Sequence, residues 1–147
     1  MSKLYIVATP IGNLEDITLR AIRILKEADF VLCEDTRVTQ KLLQKYDIKT
    51  KTVSYHQHSS DSKESEIVRL LQEGKTFALV SDAGTPNVSD PGGKLVQSVL
   101  QKTDGSIEIE SVPGPSALSA AISVAGISLD KFTFLGFLYS VCHQLPY

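Results

Sequence analysis

Short apolar runs alternate along the chain with longer stretches in which apolar residues recur every three or four positions. The runs at residues 4–8, 30–33 and 77–80 each predict a strand, and we predict two further strands at residues 52–55 and 107–112. Continuous apolar runs are typical of parallel strands that are covered on both faces. We therefore predict an α/β fold, a doubly wound and mainly parallel five-stranded sheet alternating with five helices.

The stretch at residues 17–27 has the spacing of a helix with one buried face. Its apolar residues recur at i, i+4, i+7 and i+8, as Ile17, Ala21, Ile24 and Leu25. We expect Asn13 or Asp16 to cap this helix, and we expect the helix to end near Glu27.

The remaining helix ends are predicted from capping residues. We expect Thr36 to cap the second helix, Gly74 to follow the third as its C′ residue, and Asp90 to cap the fourth. The buried face of the fourth helix is expected to carry Leu95, Val96, Val99 and Leu100. The fifth helix has mostly small residues that allow close packing, namely Ala117, Ala120, Ala121, Val124 and Ala125.

Four segments that follow predicted strands contain residues that are unusual for plain connections. They read TPIGN at 9–13, EDTR at 34–37, SDAGTPNVSD at 81–90 and PGPSA at 113–117. Ligands of open α/β sheets bind beyond the carboxyl ends of the strands, so these segments outline a candidate cleft. The third loop runs for about nine residues, whereas most such connections have about 2 to 6. A plain strand-to-helix connection is the alternative.

The cleft has neither of the common phosphate-binding sequences. Gly12 stands alone after the first strand, without the Gly-x-Gly-x-x-Gly pattern, and a P-loop is absent as well. We therefore expect a ligand without phosphates, held by several loops.

Composition narrows the function classes further. The chain has 147 residues, 42% of them hydrophobic, which predicts one domain with its own core. A net charge of −2 provides no long-range attraction for nucleic acid or an anionic membrane. Two cysteines predict neither a disulfide framework nor a metal site, and no apolar stretch is long enough to span a bilayer. These features favour a cytoplasmic protein.

Four motifs, in order, resemble a known family. LYIVATPIGNLEDIT, CEDTR, ALVSDAGTPNVSDPG and VPGPSALSAAIS resemble the ribosomal small-subunit RNA 2′-O-ribose methyltransferase I family of the tetrapyrrole methylase superfamily, over residues 3–138. The resemblance implies a domain that binds S-adenosylmethionine and transfers a methyl group to a cytidine 2′-hydroxyl. The implied partner is 16S ribosomal RNA in the small subunit, and a homodimer is one arrangement that the sequence allows.

The resemblance also implies which residues contact the donor. Asp82 matches an acidic position beside the donor, where a carboxylate suits a cationic sulfonium. The other implied contacts are Thr9, Pro10, Gly12, Ala83, Gly84, Thr85, Ser116 and Ala117.

Three residues are candidates for the methyl-transfer step itself. Asp35 and Arg37 either pair with each other or act on the substrate, with Arg37 on an RNA phosphate and Asp35 or Glu34 as the base. His56 is either an exposed loop residue or the base or RNA contact.

The end of the sequence departs from the family pattern. Members of the family are about twice as long, so we expect a donor-binding domain at 1–132 and an interdomain junction with an aberrant tail at 133–147. The second domain is then absent, which puts activity of this chain alone in doubt. Two alternatives are a methyltransferase for a precorrin-type tetrapyrrole and a non-catalytic module that binds or dimerises. An exposed apolar patch would favour that module, at Phe132, Phe134, Phe137 and Leu138.

Overall fold

A computed structural model describes residues 2–56, 59–88, 92–128 and 130–136 of the chain. Within these residues, five strands alternate with five α-helices. The strands are β1 (Lys3–Val7), β2 (Phe30–Cys33), β3 (Lys51–Ser54), β4 (Phe77–Val80) and β5 (Glu108–Val112). The helices are α1 (Leu19–Glu27), α2 (Thr36–Lys45), α3 (Asp61–Gln72), α4 (Gly92–Lys102) and α5 (Ala117–Ser123).

The strands form one parallel sheet in the order β3-β2-β4-β1-β5. Every strand pair in it is parallel, and the register aligns Val7 with Val80 on one side and with Val112 on the other. The central strand, β4, therefore pairs with β1 although the two are far apart in the sequence. The predicted parallel five-stranded sheet is confirmed.

Each face of the sheet has its own apolar core. One core joins α1 and α2 to strand residues that include Val7, Val31 and Val80. The other joins α3 and α4 to residues from alternate positions of the strands, such as Leu32 and Leu79. Because successive strand side chains point to opposite faces, the continuous apolar runs supply both cores, and the sheet is doubly wound.

The predicted cap of α1 is wrong. Thr18 is the N-cap, and its hydroxyl accepts a hydrogen bond from the Ala21 N–H at 3.0 Å. Asn13 instead caps a short 3₁₀ helix, Leu14–Asp16, by accepting from the Glu15 N–H. Extended backbone at Ile17 separates the two helices, so neither Asn13 nor Asp16 can reach the start of α1.

The other capping predictions have mixed outcomes. Asp35, not Thr36, caps α2, because its carboxylate accepts from the Arg37 N–H two residues later. Gly74 follows α3 at φ +97°, a left-handed conformation that glycine adopts without strain, as predicted. Asp90 lies outside the described residues.

Two predictions of helix faces are wrong. On α4, Leu95 and Val99 are buried and Val96 is partly buried, whereas Leu100 is exposed. At about 100° per residue, Leu100 lies about 140° around the helix from Leu95, beyond the buried stripe. On α5 no residue is buried, and its partly buried positions are Leu118 and Ile122 rather than the alanines.

Candidate functional site

The strand order places the candidate cleft at the centre of the sheet. The chain leaves β2 through α2 toward the edge strand β3, and it leaves β4 through α4 toward the opposite edge, β5. Adjacent strands whose connections diverge leave a crevice at their carboxyl ends. The loops after β1, β2 and β4 border this crevice, and they contain most of the predicted site residues.

The loop after β4 is tied to the loop after β1. Thr9 and Gly84 exchange two backbone hydrogen bonds, with N···O distances of 2.9 and 3.0 Å, in an isolated antiparallel bridge. The buried Thr9 hydroxyl donates to the Ser81 carbonyl at 3.0 Å, and the Ser81 hydroxyl donates to the Gly84 carbonyl at 3.0 Å. These bonds fold the β4 loop back onto the ends of β1 and β4. We call this set of hydrogen bonds the Thr9–Gly84 junction.

Gly84 lies where three loops approach one another. Its φ of +85° is in the left-handed region, which favours glycine. A Cβ atom there would stand 3.4 Å from Ile11 Cγ2 and 3.9 Å from the Pro115 carbonyl. The next residue, Thr85, donates its hydroxyl to the same Pro115 carbonyl at 3.2 Å. The β4 loop thus contacts the loops after both β1 and β5.

Asp82 connects the β4 loop to the β2 loop. Its Oδ1 accepts a hydrogen bond from the Asp35 N–H at 3.2 Å. The residue is exposed, and so is Ala83 beside it. Asp82 therefore presents a negative charge to the crevice while it fixes the start of α2.

Asp35 and Arg37 pair with each other. Arg37 donates from Nε to Asp35 Oδ1 at 3.1 Å and from Nη2 to Oδ2 at 2.7 Å. The Arg37 side chain, followed by its backbone N–H, lowers the pKa of Asp35 to about 2. A carboxylate with such a pKa is a weak proton acceptor at neutral pH. The Arg37 side chain remains 88% exposed, so its guanidinium can still meet a second anion.

His56 lies apart from the other candidates. It follows the edge strand β3, and β2 separates β3 from β4 in the sheet. The residue is exposed, and its backbone N–H donates to the Ser59 hydroxyl at 3.0 Å. The structure therefore places His56 at the same edge of the sheet as Asp82 but not in hydrogen-bonding contact with it.

The β5 loop borders an open groove of about 470 Å³. Ser116 is at the N-cap position of α5, yet its side chain makes no capping hydrogen bond, so the hydroxyl stays available to a ligand. Ala117, the first residue of α5, is exposed. The groove is lined by Ile11, Asp16, Thr18, Gly114, Pro115, Ser116, Ser119 and Ala120.

The loop after β1 separates this groove from a small cavity of about 40 Å³. Thr9 and Pro10 are buried and line the small cavity, together with Asp82. Gly12 is exposed, with φ +151° and no atom within 4 Å of a Cβ built there.

Residues that sequence reasoning missed also line these spaces. Val38 and Thr39 of α2 border the small cavity, and Thr18 borders the groove. Thr39 is buried, and its hydroxyl has no hydrogen-bond partner among the described residues. The sequence signal comes from the segments directly after the strands, and the segment after β2 ends at Arg37, before Val38 and Thr39.

The described residues hold no group of three or more His, Cys, Asp or Glu side chains that could bind a metal ion. None of the helices described is both long and apolar enough to cross a membrane. Apolar side chains are exposed at residues 132–135, where Phe132 is 53% and Phe134 50% exposed. Phe137 and Leu138, predicted to belong to the same patch, lie outside the described residues.

A doubly wound parallel sheet whose loops after β1, β4 and β5 are joined at its carboxyl edge defines an α/β domain of the class that binds ligands beyond the ends of its strands. The chain belongs to the tetrapyrrole (corrin/porphyrin) methylase family, whose model matches residues 3–144.

Curated relatives include bacterial RNA-modifying enzymes. The chain is 52% identical over 138 residues to ribosomal RNA small subunit methyltransferase I of Thermotoga maritima, covering 94% of this chain and 61% of the relative. It is 51% identical to the protein of the same name from Halalkalibacterium halodurans, covering 92% of this chain and 46% of the relative. The chain thus spans about half the length of the curated relatives it matches.

A solved structure shares the fold. Uroporphyrin-III-C-methyltransferase from Thermus thermophilus superimposes with a TM-score of 0.63 at 25% identity, covering 84% of this chain and 53% of that chain. The predicted family and its α/β architecture are therefore confirmed.

Proposed function

We propose that this chain supplies the donor-binding domain, at residues 1–132, of an S-adenosylmethionine-dependent methyltransferase. Its acceptor is the 2′-hydroxyl of a cytidine in 16S ribosomal RNA, within the small subunit and in the cytoplasm. The observation that carries the proposal is the Thr9–Gly84 junction, which presents the Asp82 carboxylate at the centre of the sheet. The names and the identity of the curated relatives support the reaction class.

The residues at the crevice fit the donor in charge. When bound, S-adenosylmethionine supplies an electrophilic methyl group on a cationic sulfonium. The exposed carboxylate of Asp82 suits that charge, and the Ser116 hydroxyl can hydrogen-bond a polar group of the donor. The groove that Ser116 lines is on the other side of the β1 loop from the cavity that Asp82 lines, and its volume of about 470 Å³ is within the range of about 300–1,000 Å³ typical of small-molecule sites.

The chain's own residues mainly position the two reactants. Correct orientation alone can lower a barrier by about 7–11 kcal/mol. Arg37, exposed despite its pairing with Asp35, is suited to bind an RNA phosphate. Because Asp35 has a lowered pKa, His56 is the better of these candidates for accepting the proton of the ribose hydroxyl.

The sequence identities to relatives favour RNA over a tetrapyrrole as the acceptor. Identity to the relatives named for ribosomal RNA is 51–52%, against 25% for the uroporphyrin methyltransferase. The proposal also includes an interdomain junction at residues 133–147. It further includes a homodimer, which sedimentation of the chain tests.

The test is calorimetric titration of S-adenosylmethionine into the chain and into two variants. Asp82→Asn removes the charge but keeps an amide oxygen that can accept from the Asp35 N–H, so the loop should hold its shape. We expect roughly tenfold weaker binding, because a charge-assisted contact is worth about 1.5–3 kcal/mol and part of it is screened here.

Asp47→Asn is the matched control. It removes one negative charge from an exposed turn after α2, and Asn tolerates the positive φ of 49° at that position. It should bind the donor like the parent. Equal weakening by both variants would mean that Asp82 acts only through net charge, and unchanged binding by Asp82→Asn would exclude it from the donor site.

A further inference from the structure

A buried carboxylate between α3 and α4 forms an ionic cluster that has no part in the function proposed above. Glu64, on α3, is 4% exposed, and Tyr55 beneath it is 2% exposed. Glu64 Oε1 accepts a hydrogen bond from the Tyr55 hydroxyl at 3.1 Å. The same oxygen is 2.9 Å from the Lys94 ammonium of α4. We call these three residues the Glu64 cluster.

Two residues of the Glu64 cluster lie next to loops of the candidate site, namely the loop that contains His56 and the loop that contains Asp82. Tyr55 directly follows β3 and directly precedes His56, and its N–H donates to the Cys33 carbonyl of β2 at 2.7 Å. Lys94 is in the first turn of α4, which begins just after the loop that contains Asp82. One carboxylate oxygen therefore joins the start of the His56 loop to the first turn of the helix that follows the Asp82 loop.

The cluster is an unusual choice if stability alone is at stake. Burial of a carboxylate is unfavourable unless the group is paired, and apolar side chains of similar size commonly stabilise a core as well or better. Ion pairs and hydrogen bonds do, however, define a single relative position of the groups that make them, as buried polar residues do in some other proteins.

We propose that Glu64 is a positioning residue that holds the His56 loop in a fixed relation to the Asp82 loop. Donor binding at Asp82 is thereby transmitted to His56. The inference rests on the proposed function, because it gives the two loops the donor and the proton acceptor.

Tyr55 and Lys94 keep their protons around neutral pH. Burial, and then the charge of Glu64, raises the pKa of Tyr55, so its hydroxyl stays a donor. Hydrogen bonding to Glu64, followed by that to Asp61, raises the pKa of Lys94, which stays charged. The contacts therefore persist under ordinary assay conditions.

The experiment follows backbone amide resonances of the ¹⁵N-labelled chain during titration with S-adenosylmethionine. In the parent, we expect shifts at Asp82 and Gly84, and shifts at Tyr55 and His56 that saturate at the same donor concentration. In Glu64→Gln, the shifts at 82 and 84 should remain, whereas those at 55 and 56 should fall at least twofold. A purely structural role would leave the ratio of the two sets unchanged.

Asp61→Asn is the matched control. Asp61 also contacts the Lys94 ammonium, at 3.2 Å, but its side chain is 92% exposed and it does not touch Tyr55. This variant should reproduce the parent ratio. Glu64→Gln keeps an amide oxygen that can accept from the Tyr55 hydroxyl but loses the charge that pairs with Lys94, whereas Tyr55→Phe loses the hydroxyl itself. Each variant weakens one link of the Glu64 cluster, so Tyr55→Phe should lower the ratio as well.

Each result decides between defined conclusions. Parent shifts at 82 and 84 alone would overturn the inference and leave the proposed function standing. No shift at either loop would overturn the proposed function, and the inference with it. Loss of the folded spectrum in both Glu64→Gln and Tyr55→Phe would show that the cluster serves stability and would overturn the positioning role.

Discussion

Two adjacent glycines at the start of α4 should respond in opposite directions to the same substitution. Gly92 is buried, and a Cβ atom there would overlap Asn87 Oδ1 of the site loop and stand 2.8 Å from Leu79 Cδ2. A Cβ atom at Gly93 would meet nothing within 4 Å. Gly92→Ala and Gly93→Ala are therefore a matched pair that differs only in what the new methyl group contacts.

The magnitudes follow from these contacts. Carbon atoms prefer a separation of about 3.5–4.0 Å, so Leu79 must shift by roughly 1 Å. Leu79 is buried in the core on the α3 and α4 face, where such overpacking costs about 1–3 kcal/mol. We therefore expect Gly92→Ala to lower the free energy of unfolding by about 2 kcal/mol. Gly93→Ala should stabilise by about 0.5–1 kcal/mol, because alanine loses less backbone entropy than glycine in a helix.

The assay is thermal unfolding followed by circular dichroism. For a chain of this length, a change of 1 kcal/mol in the free energy of unfolding shifts the midpoint by about 3–4 °C. The midpoints of the two variants should therefore differ by roughly 8–12 °C. Gly92→Ala should unfold below the parent and Gly93→Ala above it. Midpoints within 2 °C of each other would refute the packing of Gly92 against Leu79 and Asn87.

Two further predictions concern caps and charge. Thr18→Ala removes the hydroxyl that accepts from the Ala21 N–H and should cost about 1 kcal/mol in urea unfolding, whereas Ser116→Ala, which removes no capping bond, should change stability by less than about 0.5 kcal/mol. Equal losses would contradict the assigned caps. Because the pKa of Asp35 is lowered from 3.8 to about 2, its contribution to stability is complete above pH 3.8 and is lost as the pH falls toward 2. An NMR titration of the carboxyl carbon should show the lowered pKa in the parent and a higher pKa in Arg37→Gln, which loses the guanidinium but keeps the backbone N–H bond; the same pKa in both would refute the pairing.

The strands were predictable because their signal is local. The runs at 30–33 and 77–80 match β2 and β4 residue for residue, since both strands are covered on both faces and every position is apolar. The edge strand β3 has no buried residue, and its prediction was displaced by one position for lack of that signal. The four loops were also found from sequence, because strand ends and turn residues are local features.

The connections between the loops were not predictable. The Thr9–Gly84 junction and the bond from the Asp35 N–H to Asp82 join residues 75 and 47 positions apart. No spacing in the sequence indicates such pairings, since they depend on the order of strands in the sheet. The prediction of the α1 cap was wrong for a different reason. Asn13, Asp16 and Thr18 are all good capping residues, and only the backbone path selects among them.

The position of β1 in the sheet also fixes the order in which the site can form during synthesis. Of the five strands described, β1 is made before the others, yet the first strand that can pair with it is β4, and Leu4 pairs with Phe77, 73 positions later. Meanwhile β2 and β3, adjacent in both sequence and sheet, can pair early. Closing the long segment costs entropy before the new contacts offset it, which slows this step. Until Gly84 has left the ribosome, the nascent chain therefore carries β1 as an unpaired apolar strand, which is a target for chaperones. The candidate site cannot form before that point.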